Sequence, residues 1–146
     1  ARLFPKLPDS LWFHLISFMA GLLLLRLVLR ASRNTGKLLA RLGREGDLPR
    51  METNKLVKEG YYACMRHPMH LGLMLFPPAL ALIVGSLSFL IIIAPLEMFF
   101  IVTMVKIIEE PQALRKFGGT YRDYMNLVPF FSFKKACLKK LFSKYV

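Results

Sequence analysis

With 146 residues the chain has room for one domain, and more than half of it is apolar, 12 residues being Phe, a composition that suggests a membrane protein. Its formal net charge of +12 sits in two blocks: residues 30–66 hold nine Lys/Arg against four acids, residues 106–146 hold nine against three, and 67–105 carry only Glu97. A nucleic-acid binder would spread basic residues over a soluble fold with interleaved aromatics, whereas two basic blocks flanking apolar spans read as cytoplasmic segments under the positive-inside rule.

Cys64 and Cys137 fit no metal spacing, and two cysteines in a chain of this size do not make a disulfide framework. No metal site is expected.

Ala1–Asp9 is a short lead with two prolines, and Asp9-Ser10 can cap the helix that follows. A chain opening on Ala1 leaves room for a further helix ahead of it. Leu11–Leu29 is the first expected span, about 19 residues and so roughly the length that crosses the hydrocarbon core. It is too long for a signal-peptide core and no small-residue cleavage site follows it. Arg26 lies near its basic end, where snorkelling is the favoured reading; His14, near the other interface, reads as structural. Ala31–Arg50 is polar and basic. It is expected either as an extension of the first helix or as an amphipathic helix on the membrane surface, with Gly43, Gly46 and Pro49 breaking it.

Met51–Lys58 is a polar connector into Gly60–Gly72, the stretch where the basic segment meets the apolar one. Arg66, His67 and His70 stand at the mouth of a membrane helix, where ionisable groups are costly without a partner. His67-Pro68 marks a helix start. Met69–Val84 is apolar with Pro77-Pro78 at its middle, a kink; Gly85-Ser86 is a turn, and Leu87–Val105 is a third span. The two spans read as a hairpin with both open ends on the basic side. Glu97, mid-span, is expected to face the bundle interior and find a partner.

The hairpin returns Glu109-Glu110 to the face that carries Arg66-His67. Read alone, this is an ordinary solvated acidic pair. At a helix C-terminal end it would oppose the dipole and favour a compensating cation or ligand hydroxyls. Leu114, Phe117-Gly118-Gly119, Tyr121, Tyr124 and Val128-Pro129 follow. In the tail, Phe133, Cys137, Leu138, Leu141, Phe142 and Tyr145 share a helical face and lysines fill the rest, as in a helix lying on anionic lipid.

Together the two clusters resemble the isoprenylcysteine carboxyl methyltransferase family and its wider membrane relatives, the phospholipid N-methyltransferases among them. The matching residues are Gly60, Tyr62, Arg66-His67-Pro68, His70 and Gly72, then Glu109-Glu110, Leu114, Phe117-Gly118, Tyr121, Tyr124 and Val128-Pro129, over about residues 58–130. His70 stands where the family usually has Tyr, and Phe130 where an aromatic or basic residue follows Val-Pro. The resemblance implies S-adenosylmethionine as donor, bound at the cytosolic face. It implies a cofactor site of Tyr62, Arg66, His67, Pro68, His70, Gly72, Glu109, Glu110, Tyr121 and Tyr124, with Arg66, His70 and Glu110 closest to the chemistry. Arg66 suits the donor carboxylate as a charge-assisted pair, the glutamates its ammonium or ribose hydroxyls, and the tyrosines its adenine or sulfonium.

The expected fold is all-α: an integral membrane helical bundle of about three transmembrane helices, including a tight hairpin, plus a C-terminal cytosolic or interfacial helical segment. It is one domain, with a leading span and basic connector (1–57), a cofactor-binding core (58–130) and a basic amphipathic tail (131–146). The leading functional reading is methyl transfer to a lipophilic or lipid-linked acceptor, an isoprenylcysteine-type carboxylate first and a phospholipid or other amine second. A carboxylate needs no base; an amine must lose a proton, which His70 or a glutamate can take. A non-catalytic membrane module keeping the fold is a third reading, and an NADPH-dependent sterol reductase ranks below these. Expected partners are the lipid substrate and, through the tail, the anionic leaflet; nucleic acid is not one. The expected location is the endoplasmic reticulum of a eukaryote or the inner membrane of a bacterium, with the site facing the cytosol.

Overall fold

A computed structural model describes residues 11–49 and 52–143, and among these there is helix and loop but no strand. The long first helix, α1 (Leu11–Leu42), has 32 residues. At 1.5 Å per residue it is about 48 Å long, more than the roughly 30 Å hydrocarbon core. Its basic end therefore runs on out of the apolar layer, so Ala31–Leu42 extends the first helix and is not a separate surface helix.

One stripe of α1 is made of small residues, which let helix backbones approach closely where lipid supplies no hydrophobic drive to pack them. Ser17 donates from Oγ to the Leu82 carbonyl at 2.8 Å. A Cβ on Gly21 would lie 2.7–2.9 Å from atoms of Ile83 and Ala79, and one on Gly72 would lie 2.4 Å from the Ala31 Cβ. These contacts set α1 antiparallel to the segment Pro68–Val84. That segment is two short helices, α3 (Pro68–Leu73) and α4 (Phe76–Val84), separated by a turn at Met74-Leu75. Ahead of them lies one turn of helix, α2 (Tyr61–Cys64). Pro77 is in the first turn of α4, where its missing N–H leaves no bond unmade, and this places the kink before it.

Gly85, at φ 72°, reverses the chain against the His14 ring. A single rod, Phe89–Phe117, then returns. It contains α5 (Ala94–Met104) and α6 (Glu110–Phe117), each preceded by a π-turn, Phe89–Ile93 and Val105–Glu109. Each π-turn is followed by a proline, Pro95 or Pro111, in the first turn of the next segment. Opening the helix by one residue is how it accommodates a ring that would strike the carbonyl four residues back. The rod thus does not stop at Glu109-Glu110, and the acidic pair is not at the helix C-terminal end expected just past the third span.

The fold is an all-α membrane bundle, with a difference in the count of spans. Two helices, Leu11–Leu42 and Phe89–Phe117, are long and apolar enough to cross a membrane, and Pro68–Val84 is a shorter apolar segment. Three corrections concern particular residues. Glu97 is exposed on the outer face of α5, not turned into the bundle, because the interior side of the rod is taken by small and apolar residues such as Ala94. Cys64 and Cys137 form a disulfide, Cα–Cα 6.0 Å; its spacing of 73 residues carries no signal in sequence because tertiary docking alone brings the pair together. The tail does not offer its whole apolar face to lipid. In α8 (Lys135–Phe142), Leu141 is fully buried, in a core with Ala31, Met65 and Leu71, with Cys137 and Leu138 packed beside it. Tyr145, assigned to the same face, lies outside the described residues, and Phe133 is exposed. Between the rod and the tail stands α7 (Gly119–Leu127).

Candidate functional site

The site forms where the open ends of the hairpin meet. Pro68, at the start of α3, directs His70 along the first turn of that helix. The π-turn Val105–Glu109 and α6 bring the acidic pair opposite. His70 Nε2 lies 3.0 Å from Glu109 Oε1, and His67 Nε2 lies 3.0 Å from Glu110 Oε1. The hairpin thus joins the two sequence clusters as expected, within hydrogen-bond distance.

The most connected group is Arg66. Its Nε donates to Glu110 Oε1 at 2.9 Å, and its Nη2 lies 2.9 Å from the same oxygen in an ion pair. Its Nη1 donates to the carbonyls of Met125 at 3.2 Å and Val128 at 2.8 Å. Both side chains are about nine-tenths buried. Arg66 therefore clamps three segments, the α2–α3 junction, α6 and the end of α7. The backbone repeats the link: the N–H groups of Arg66 and His67 donate to the carbonyls of Pro129 and Phe130 at 2.9 and 3.3 Å. Phe130 then lies over His67, ring centroids 4.5 Å apart, with the Arg66 guanidinium and the Lys106 ammonium 5.6 and 5.3 Å from its centre.

Gly118, at φ 59° and ψ −132°, makes the sharp turn from α6 to α7. Few residues other than glycine occupy that region. The turn folds α7 back and buries Tyr121 and Tyr124 against Tyr62, Leu38 and Val57. Tyr124 Oη donates to the Tyr62 carbonyl at 2.6 Å. Burial pushes all three phenols up, Tyr121 to about 12 with the Glu110 carboxylate adding to the effect, so all three remain neutral. Burial holds His67 below the ordinary histidine value of 6.5, against the opposing pull of Glu110. The neutral ring then donates from Nε2 to the carboxylate.

Between these elements lies a cavity of ≈ 410 Å³, within the roughly 300–1,000 Å³ of small-molecule sites. Tyr62, Arg66, His67, His70, Glu109, Tyr121 and Tyr124 all line it. Three expected site residues do not. Glu110 is behind the wall, bonded to Arg66 and His67. Pro68 is a buried helix start, and Gly72 is the point of closest approach to α1. The far wall comes from Thr53, Lys55, Leu56 and Val57, in the segment read as a plain connector, with Leu39 of α1. Lys116 Nζ donates to the Thr53 carbonyl and ties that segment to α6. Nothing in the residue types of 53–57 marks them as lining a pocket. His67, His70 and Glu109 also bring one potential ligand atom each within 4.8 Å of the others. The Nε2 atoms of both histidines are already engaged by Glu110 and Glu109.

The chain matches the family described as phospholipid methyltransferase over residues 12–120. The chain belongs to the phospholipid methyltransferase family. The match takes in α1, which lies outside the residues 58–130 that carry the resemblance in sequence. Phospholipid methyltransferase membership makes this a membrane methyltransferase of the class acting on lipid-type substrates. No curated protein and no solved structure matches the chain significantly.

Proposed function

We propose that the cavity holds S-adenosylmethionine and that the chain methylates the amine of a lipid headgroup. The observation that carries this reading is the convergence on one cavity of His70 paired with Glu109 and a wall of neutral, buried tyrosines. When bound, the donor supplies an electrophilic methyl group on a sulfonium. The lining suits its parts. Lys55 makes one region positive, for a carboxylate. Glu109 accepts from an ammonium or from ribose hydroxyls. Tyr62, Tyr121 and Phe117 offer aromatic surface to an adenine or a cation.

An amine acceptor must shed a proton to become a nucleophile. His70 is the group placed to take it, and Glu109, bonded to the ring, stabilises the imidazolium that results. The wall also positions: near-contact alignment of two reactants removes much of the barrier of a displacement. The site lies at the basic ends of the bundle, which in this reading face the cytosol in a multi-pass protein.

A second reading, transfer to an isoprenylcysteine-type carboxylate, is favoured by the order of motifs from Arg66-His67-Pro68 to Val128-Pro129, and it needs no base. Methyl-labelled donor separates the two in protein reconstituted with candidate lipids. A base-stable N-methyl product supports the amine; a base-labile methyl ester overturns it in favour of the carboxylate. Donor bound but no methyl transferred to any lipid would point to a non-catalytic module.

A further inference from the structure

A second cavity, ≈ 380 Å³, opens on the opposite side of α1, lined by Arg26, Leu29, Arg30, Arg33, Asn34, Lys37 and Ser143. We propose that it is a binding site for the phosphate of an acidic glycerophospholipid. It is separate from the methyl-transfer pocket and independent of the function assigned there.

The basic residues recur at Arg26, Arg30, Arg33 and Lys37, the 3.6-residue period that places them along one face of the helix. They span about 16 Å of its length. Among the described residues no acidic side chain lines the cavity, and Arg26, Arg30 and Arg33 make no ion pair. Arg26, Arg30 and Arg33, stacked on one helix, repel one another, and a bound anion relieves that repulsion. The cavity is built and is not merely a charged surface. Its far side is the end of α8, held by Asn34, a buried residue whose Nδ2 donates to the carbonyls of Leu141 and Ser143, both at 2.8 Å. Arg30 adds a longer bond, 3.5 Å, to the Phe142 carbonyl.

Depth identifies the anion as a lipid headgroup. From Leu11, Arg26 is about 22 Å and Arg30 about 28 Å along the helix, against a hydrocarbon core of roughly 30 Å. The cations thus begin where the apolar layer ends. Leu29, which lines the cavity, is 62% exposed, and Leu22 and Leu23 on the membrane side are also exposed. An acyl chain against the leucines and a phosphate among the arginines matches this division; a soluble anion uses only half of it. Arg26, which on sequence is read as snorkelling, becomes part of a site, and acidic lipid is engaged by α1 and not by the outer lysines of the tail.

The test is a titration of the purified full chain in neutral detergent, followed by native mass spectrometry. Three probes are used separately: dioleoylphosphatidylglycerol, dioleoylphosphatidylcholine and inorganic phosphate. The expected result is one saturable phosphatidylglycerol adduct that neither of the other probes displaces at equal concentration. Arg26→Gln/Arg33→Gln should weaken it roughly tenfold or more, since each cation near an anionic lipid contributes substantially. Lys135→Gln/Lys139→Gln removes the same charge from exposed tail positions outside the cavity and should leave binding within about twofold. Arg30 and Asn34 are left intact so that the tail stays docked, and an unchanged thermal midpoint confirms it. Equal binding of the two lipids, equal loss in the two double variants, or displacement by inorganic phosphate would each overturn the proposal.

Discussion

Replacing Arg66 or Glu110 separates a structural clamp from a ligand contact. Glu110 Oε1 accepts from Arg66 Nε at 2.9 Å, lies 2.9 Å from Arg66 Nη2 in an ion pair and faces His67 Nε2 at 3.0 Å, with Arg66 and Glu110 both about nine-tenths buried. Removing one partner of such a pair leaves a buried charge uncompensated and costs about 3–5 kcal/mol. Arg66→Met additionally frees the carbonyls of Met125 and Val128. Apolar replacement of both partners removes the stranded charge, and buried pairs replaced in this way often lose little stability. The expected outcome is two unstable single variants and a double variant, Arg66→Met/Glu110→Met, less damaged than the sum of the singles by about 2 kcal/mol or more. The assay is denaturant unfolding in a single detergent, followed by donor binding on whichever variants fold. The guanidinium donors are largely spent within the protein, so the double variant should bind donor within roughly tenfold of the parent. Strict additivity would refute the clamp, and a stable double variant that binds no donor would return Arg66 to direct contact with the ligand.

Three further outcomes follow from the geometry. Because burial lowers His67 in the folded chain, the unfolded chain takes up the proton first as pH falls through 6.5; stability should therefore drop on acidification below that value and be flat above it, and thermal scans of His67→Gln should lose most of this slope. A Cβ at Gly72 would lie 2.4 Å from the Ala31 Cβ, so Gly72→Val should cost about 1–3 kcal/mol by forcing α3 off α1, against a small effect for Gly36→Val, where the space is open apart from the local β-branching penalty. The Cys64–Cys137 bond closes 73 residues of chain, so Cys137→Ser should destabilise the protein by about 2–4 kcal/mol in oxidising buffer and by nothing in excess reductant, measured as midpoint shifts with and without dithiothreitol.

The legible parts of the fold are those that rest on local pattern. The apolar lengths after Pro68 and after Ser86 placed the open ends of the hairpin together, and His70–Glu109 and His67–Glu110 are the result. The resemblance grouped Tyr62, Tyr121 and Tyr124 in one site, and all three line the cavity. Pairings decided in three dimensions were not legible. Arg66 looks the same in sequence whether it awaits a carboxylate ligand or Glu110. Cys64 and Cys137 meet only because Leu141 docks against Ala31 and Met65. The 53–57 wall of the cavity is defined by what packs over it, with no residue type to announce it. Glu97 was assigned to the interior because carboxylates are costly in lipid, yet the rod has few buried positions to offer it.

The central claim, that the cavity beside His70 and Glu109 is the donor site, is tested most directly by equilibrium binding of labelled S-adenosylmethionine to the parent and to Ala113→Trp. Ala113 lines the cavity and is only half-buried, so the indole fills space without replacing a hydrogen-bonded group. Saturable binding near one donor per chain, weakened roughly tenfold or more in Ala113→Trp at an unchanged thermal midpoint, is the predicted result. Binding equal in the two proteins, or absent from the folded parent, would contradict the account.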